Sequence, residues 1–222
     1  MILKKDNQAG LFSITFFDIK KSAAGYTLIE ILAAIGIFLF ITTMMWLFVK
    51  QSYRVQSFTF GQSMAITEAR RGVEILIKEA REALPGDTGA YMIVSADDNE
   101  FIFYADYDRD DAIEKVRYFF VGTEFFKGVI EASGEPLQYL PENEVVTVIS
   151  KYVRNEASEP VFTYYDGSYA GNESDAPLTM PVDLLALKLV HINLRINVEP
   201  EKAPTDYYLA SDVQIRNLKD NL

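Results

Sequence analysis

Residues Ala23–Val49 read AAGYTLIEILAAIGIFLFITTMMWLFV, and this stretch decides the fold. From Tyr26 to Val49 the only ionisable side chains are the Tyr26 phenol and the Glu30 carboxyl, and the next charge is Lys50. About 20 consecutive apolar residues cross ~30 Å of hydrocarbon as a helix. Helical geometry is required there because unpaired backbone groups find no water. The stretch therefore predicts a membrane-spanning helix over residues 26–49. Lys4, Lys5, Lys20 and Lys21 precede it, whereas only Lys50 and Arg54 lie close beyond its end. That asymmetry predicts a cytoplasmic N-terminus and an extracytoplasmic remainder. Glu30 is the anomaly, because an acid at the centre of a spanning helix costs roughly 2.5–3.5 kcal/mol. It calls for a partner, unless it simply snorkels to the interface.

An ordinary secretory signal has a shorter apolar run, followed by a small-residue cleavage site. Here KQSYRVQSF follows the run, and the small residues SAAG precede it. A plain signal anchor accounts for length and orientation. It does not account for Gly25 at the boundary or for an acid five residues later.

The helix is expected to continue past the membrane. Between Arg54 and Leu84 there is no proline, and the apolar residues Val55, Phe58, Ala65, Ile66, Ala69, Val73, Leu76, Ala80 and Leu84 recur mostly at three- and four-residue spacing. Glu68, Arg71, Glu74, Lys78 and Glu82 fall on the other face, and Pro85-Gly86 ends the pattern. The second half of the helix, residues 50–84, is expected to seat on a globular domain, with no proline kink near Trp46 and Leu47. Beyond Pro85 the period changes to two. Strands are expected in YMIVS, EFIFYADY, IEKVRYFFV, EFFKGVIEA, EVVTVISKYV, PVFTYYD, LKLVHINLRINV and YYLASDVQIRNL, with Asp166–Pro181 as a long polar loop. From Lys188 to Val198, apolar residues alternate with His191, Asn193, Arg195 and Asn197, the pattern of a half-buried antiparallel strand. The expected class is α+β: one long N-terminal helix lying on a mostly antiparallel sheet. The expected segments are 1–25 as a leader, 26–49 as the spanning helix, 50–84 as its amphipathic continuation and 85–222 as the outer domain.

Composition limits the chemistry. The chain of 222 residues carries a net charge of −11; its first 25 residues carry +2, leaving −13 on the remainder, which disfavours a nucleic-acid-binding face. There is no cysteine, and hence no disulfide or thiolate site. The single histidine, His191, lies on the polar side of a strand, and there is no Walker loop, GxGxxG or HExxH. No catalytic residue is assigned, and an enzyme is not expected. One acidic segment, DYDRDDAIE (Asp106–Glu114), places Asp106, Asp108 and Asp110 at the spacing of the first three ligands of a calcium loop, with Glu114 nearby. It lacks the loop's glycine and its twelfth-position glutamate, where Arg117 stands. A solvated acidic turn between strands is the other reading, since aspartate favours turns.

KKSAAGYTLIEILAAIGIF resembles the N-terminus of type IV prepilins and type II secretion pseudopilins. That family shows a basic leader ending in glycine, an aromatic residue, Thr-Leu-Ile-Glu and an apolar helix. Here these are Gly25, Tyr26, Thr27, Leu28, Ile29 and Glu30, with tyrosine in place of the usual phenylalanine and a leader longer than most. The resemblance implies cleavage between Gly25 and Tyr26 by a prepilin peptidase and N-methylation of Tyr26. It also implies pairing of Glu30 with the N-terminal ammonium of a neighbouring subunit in a filament. Partners would be other pilins or pseudopilins, the peptidase, and an inner-membrane platform with its cytoplasmic ATPase. The size of the outer domain and the segment VRYFFVGTEFFKGV look similar to minor subunits of the J or W type, which sit at filament tips. No cofactor is required by this resemblance, with Ca2+ the one candidate ion. The alternatives are a membrane-anchored binding domain with a pilin-like anchor, a major pilin, or a competence pilus subunit.

Overall fold

The computed structural model of the chain describes residues 25–172, 175–201 and 206–218. Of the expected leader, only Gly25 lies among the described residues. The chain divides into two compact units, Met1–Gln51 and Ser52–Leu222. One α-helix, α1 (Leu28–Arg81), runs for 54 residues.

In the first unit α1 is apolar on every side, and large side chains such as Phe38, Trp46 and Phe48 are exposed. A helix of this composition is stable only inside a protein or a bilayer. It is long and apolar enough to cross a membrane. The Thr42 and Thr43 hydroxyls donate to the carbonyls of Phe38 and Leu39, each at 2.8 Å, so these polar groups are satisfied within the helix.

In the second unit the last turns of α1 bury one face: Phe58, Gln62, Ala65, Ala69, Gly72, Val73, Leu76, Glu79 and Ala80. Small residues dominate that stripe and let the helix backbone approach the strands. At Gly72 the fit is extreme, because a Cβ there would lie 1.9 Å from Cγ2 of Ile149. Val55 and Leu84 of the predicted stripe are exposed. The helix also stops at Arg81, short of the predicted Leu84. The Glu82 and Ala83 amides bond to Glu79 and Ala80 in a tightened last turn, and the Leu84 amide then donates to the Tyr104 carbonyl at 3.0 Å. Pairing with the sheet thus takes over at Leu84, directly before Pro85.

All eight expected strands form. β1 (Ile93–Asp97), β2 (Glu100–Ala105), β3 (Glu114–Val121), β4 (Glu124–Ile130) and β5 (Val145–Lys151) make one antiparallel sheet in chain order. β6 (Phe162–Tyr165), β7 (Leu189–Ile196) and β8 (Tyr207–Gln214) make a second sheet, where the sequence suggested one. The break falls where Tyr152 takes a positive φ of 62° and the chain turns out of β5. Aromatic packing joins the sheets. Phe101 of β2 lies 6.0 Å from Phe162 and 5.9 Å from Tyr164, and the Tyr164 hydroxyl donates to the carbonyl of Asp97 at 2.8 Å. β7 buries Val190, Ile192, Leu194 and Ile196 as its alternation predicts, but it ends at Ile196. Asn197 is buried instead of exposed, and its side chain donates to Asp206 at 2.6 Å. Gln62 clips this end of β7 to the helix: its amide donates to the Ile196 carbonyl and accepts from the Val198 amide.

Candidate functional site

The start of α1 brings together the residues singled out by the sequence. Thr27 stands just outside the helix. One Glu30 carboxylate oxygen accepts from the Thr27 amide at 2.8 Å and from the Thr27 hydroxyl at 2.9 Å, and the Glu30 amide donates back to that hydroxyl at 3.4 Å. This reciprocal arrangement is a capping box, which satisfies backbone donors that the first turn leaves open. The carboxylate also lies in the first turn, where the helix dipole favours negative charge. Glu30 therefore has a purpose within its own chain. The signal was present as Thr-x-x-Glu, a pattern not used in the reading of the sequence. Among the described residues, no atom beyond its chain neighbours lies within 4 Å of where a Gly25 Cβ would stand, and Tyr26 is 82% exposed. The peptide between them lies on open backbone just before the helix begins.

The acidic segment forms the turn between β2 and β3. Asp106 folds back over it: its carboxylate accepts from the amides of Arg109, Asp110 and Asp111 at 2.6, 3.2 and 3.3 Å. Arg109 and Asp111 adopt positive φ values of 69° and 72°. Asp106, Asp108 and Glu114 can each bring one oxygen within 4.8 Å of the others. Among the described residues Asp110 is not part of that group. Its carboxylate accepts instead from the Ala112 amide at 2.9 Å, a local side-chain-to-backbone bond of the kind aspartate makes in turns. Glu114 is the unusual member: it is buried at the start of β3 and accepts from the Tyr107 amide at 3.3 Å. Burial pushes its carboxyl up to about 7, the Tyr107 amide works against that rise, and Asp108 and Asp110 add to it.

Beside this turn lies a buried polar cluster that the periodicity did not reveal. Glu79 sits in the apolar stripe of α1, accepting from the Tyr118 hydroxyl at 2.7 Å and the Lys127 ammonium at 2.5 Å. Lys127 also lies 4.4 Å from the centre of the Tyr107 ring. Burial, with the Glu79 charge beside it, drives the Tyr118 phenol well above its ordinary range. The clue in the sequence was a glutamate three residues after Leu76, on the face otherwise given to Ala69, Val73 and Ala80. On the outer face of the larger sheet, Arg117 donates to both Glu144 oxygens at 2.7 Å and to Glu100 at 3.0 Å. Glu144 reaches it across Gly128, where a Cβ would stand 2.1 Å from a carboxylate oxygen.

His191 is half-buried, and its Nδ1 lies 2.6 Å from an Asp212 oxygen on the neighbouring strand. Among the described residues no hydroxyl nucleophile is hydrogen-bonded to that ring. The pair reads as a cross-strand contact on the solvent side of the small sheet. The chain matches no protein-family model, and comparison with curated protein sequences returns no match.

Proposed function

We propose that the chain is a pilin-like structural subunit. It is inserted with its N-terminus in the cytoplasm, cleaved after Gly25, methylated on Tyr26 and assembled through α1 into a type IV pilus or type II secretion pseudopilus. The observation that supports this reading best is the start of α1. An accessible Gly25–Tyr26 bond leads directly into a capped helix whose first half is apolar on all sides and whose second half is the spine of a β-rich domain. A spanning helix exposed all round has no partner within its own chain, and a bundle of such helices supplies one. In that bundle an unpaired carboxylate is penalised, so Glu30 favours an arrangement in which a neighbour's ammonium reaches it. The size of the outer domain suits a minor subunit at a filament tip. Its partners are then other pilins or pseudopilins, the prepilin peptidase, and the membrane platform with its ATPase. Nothing in this role requires a cofactor or a catalytic residue.

The test is mass spectrometry of the N-terminal peptide from membrane-extracted protein, with Gly25→Val as the control. A mature chain beginning at N-methyl-Tyr26, absent in the variant, supports the assignment. An uncut chain beside an active peptidase refutes it.

A further inference from the structure

Residues Val145–Ser150 of β5 read VVTVIS, with no charge before Lys151 and no proline. So continuous an apolar run is the composition of a strand covered on both faces. Yet β5 is the outermost strand of its sheet, and no strand pairs with its outer edge among the described residues. Val145, Val146 and Val148 are 68%, 47% and 40% exposed. They lie on both faces, because Val145 pairs with Val129 on the helix side while Val146 and Val148 pair with Gly128 and Phe126 on the other. Two other outer strands are defended. β1 is broken by a bulge between Ile93 and Ser95 and ends on Asp97, and β8 presents Asp212 and Gln214. Natural sheets blunt their edges with such bulges and charges; in β5 the one irregularity falls at Ile149 and the one charge is Lys151 at its end, so Val145–Val148 run without either. Next to it, between Gly72–Ile75 of α1 and the helix-side face of β4 and β5, lies an open cavity of about 940 Å³.

We propose that β5 accepts an extended strand from a protein partner as the sixth strand of the larger sheet, and that this strand carries an acidic side chain facing Arg71 and Lys151. An edge strand's free amides and carbonyls are matched by another strand, and pockets beside the edge take its alternate side chains. The cavity supplies that space on the helix side, with Ile75, Val129 and Val145 as apolar lining. Val146 and Val148 offer apolar contact on the other side. The charge preference follows from the rim. Arg71 and Lys151 line the same cavity near the Gly72–Ile149 contact, and neither forms an ion pair among the described residues. Glu68 lies one turn earlier on α1, and Glu131 lies at the Val145 end, so the positive end is the one next to Lys151. On a chain of net charge −11 a local pair of unmatched cations selects an acidic partner. This assignment does not depend on the pilin reading.

The experiment uses the full chain in non-ionic micelles and two synthetic peptides, acetyl-VTVEVTV-amide and its lysine counterpart acetyl-VTVKVTV-amide. Binding is read by anisotropy of labelled peptide, and the site by hydrogen exchange of the β5 amides. The expected result is protection of Val145–Val148 by the glutamate peptide, with weaker binding of the lysine peptide. In Arg71→Glu/Lys151→Glu the ratio of the two affinities changes by about fivefold or more towards lysine. Val145→Lys, a substitution at an exposed side chain, abolishes the protection without unfolding the domain. No protection of β5, protection at another segment only, or equal affinity for both peptides in wild type and double variant overturns the proposal.

Discussion

Replacing Gly72 by alanine sets two effects of known sign against each other. In an exposed helix the change stabilises by about 1 kcal/mol, because alanine loses less backbone freedom on folding. At Gly72 the new methyl would fall 1.9 Å from Cγ2 of Ile149 and 3.4 Å from its Cβ. Overpacking of this kind costs about 1–3 kcal/mol. Ile149 is β-branched and stiff about χ1, and its backbone is held at an irregularity in the β4–β5 register between Phe125 and Phe126. It therefore cannot swing clear without a rotamer change. Gly72→Ala is expected to destabilise by about 1–2 kcal/mol net. In an Ile149→Ala background the obstruction is gone, and the same substitution is expected to stabilise by about 0.5–1 kcal/mol. The sign reversal is the signature, equivalent to a coupling of about 2 kcal/mol in a double-mutant cycle. The assay is guanidinium unfolding of the four proteins in non-ionic micelles, followed by near-ultraviolet circular dichroism of the aromatic core. A Gly72→Ala change that stabilises the otherwise wild-type chain by the full helical increment would refute the close-approach argument.

The Glu79–Lys127 pair should behave as a buried ion pair. Glu79→Ala leaves Lys127 buried without its partner and should cost about 3–5 kcal/mol, whereas Glu79→Leu/Lys127→Met should cost far less; unfolding midpoints of the two variants decide it. Glu114 gives a pH signature. Its carboxyl is raised in the folded chain, so the folded state binds the proton more tightly than the unfolded state. Stability from this group is therefore fully present below about pH 4.5 and is lost as pH rises through about 7. Glu114→Gln should stabilise at pH 8 by about 1–2 kcal/mol, a fraction of the roughly 1.4 kcal/mol per pKa unit once solvent screening at the turn is counted. At pH 4 it should have little effect, and equal gains at both pH values would show that ionisation is not the cause.

The presence of α1 and of the eight strands was legible because each depends on local pattern. An apolar run, a helical stripe and period-two alternation survive whatever the rest of the chain does. Pairing was not legible. Nothing in PVFTYYD states that β6 leaves β5 and joins β7, since that choice is made by Phe162 and Tyr164 packing on Phe101, distant in sequence. The polar members of the buried stripe, Gln62 and Glu79, were passed over because hydropathy gives them to solvent. Each is tolerated by partners on strands more than 30 residues away. A glycine inside a helix is by propensity a weak point, and the use of Gly72 is visible only with Ile149 against it. At the N-terminus the reverse holds. Gly25, Tyr26 and Glu30 were picked out from sequence, while the contact Glu30 makes within its own chain was not.

That contact gives the most direct test of the central claim, because it separates two roles of one side chain. A glutamine at position 30 keeps an acceptor for the Thr27 amide and so preserves the capping box, but it cannot neutralise a neighbour's ammonium. Alanine loses both. The measurement is the fraction of mature, Tyr26-methylated chain found in sheared filaments or purified pseudopilus for wild type, Glu30→Gln and Glu30→Ala, with helix content followed in parallel. Glu30→Gln is expected to be cleaved, methylated and helical, yet to stay in the membrane and out of the filament as fully as Glu30→Ala. Wild-type incorporation of Glu30→Gln would contradict it, and would leave Glu30 as the cap of its own helix and nothing more.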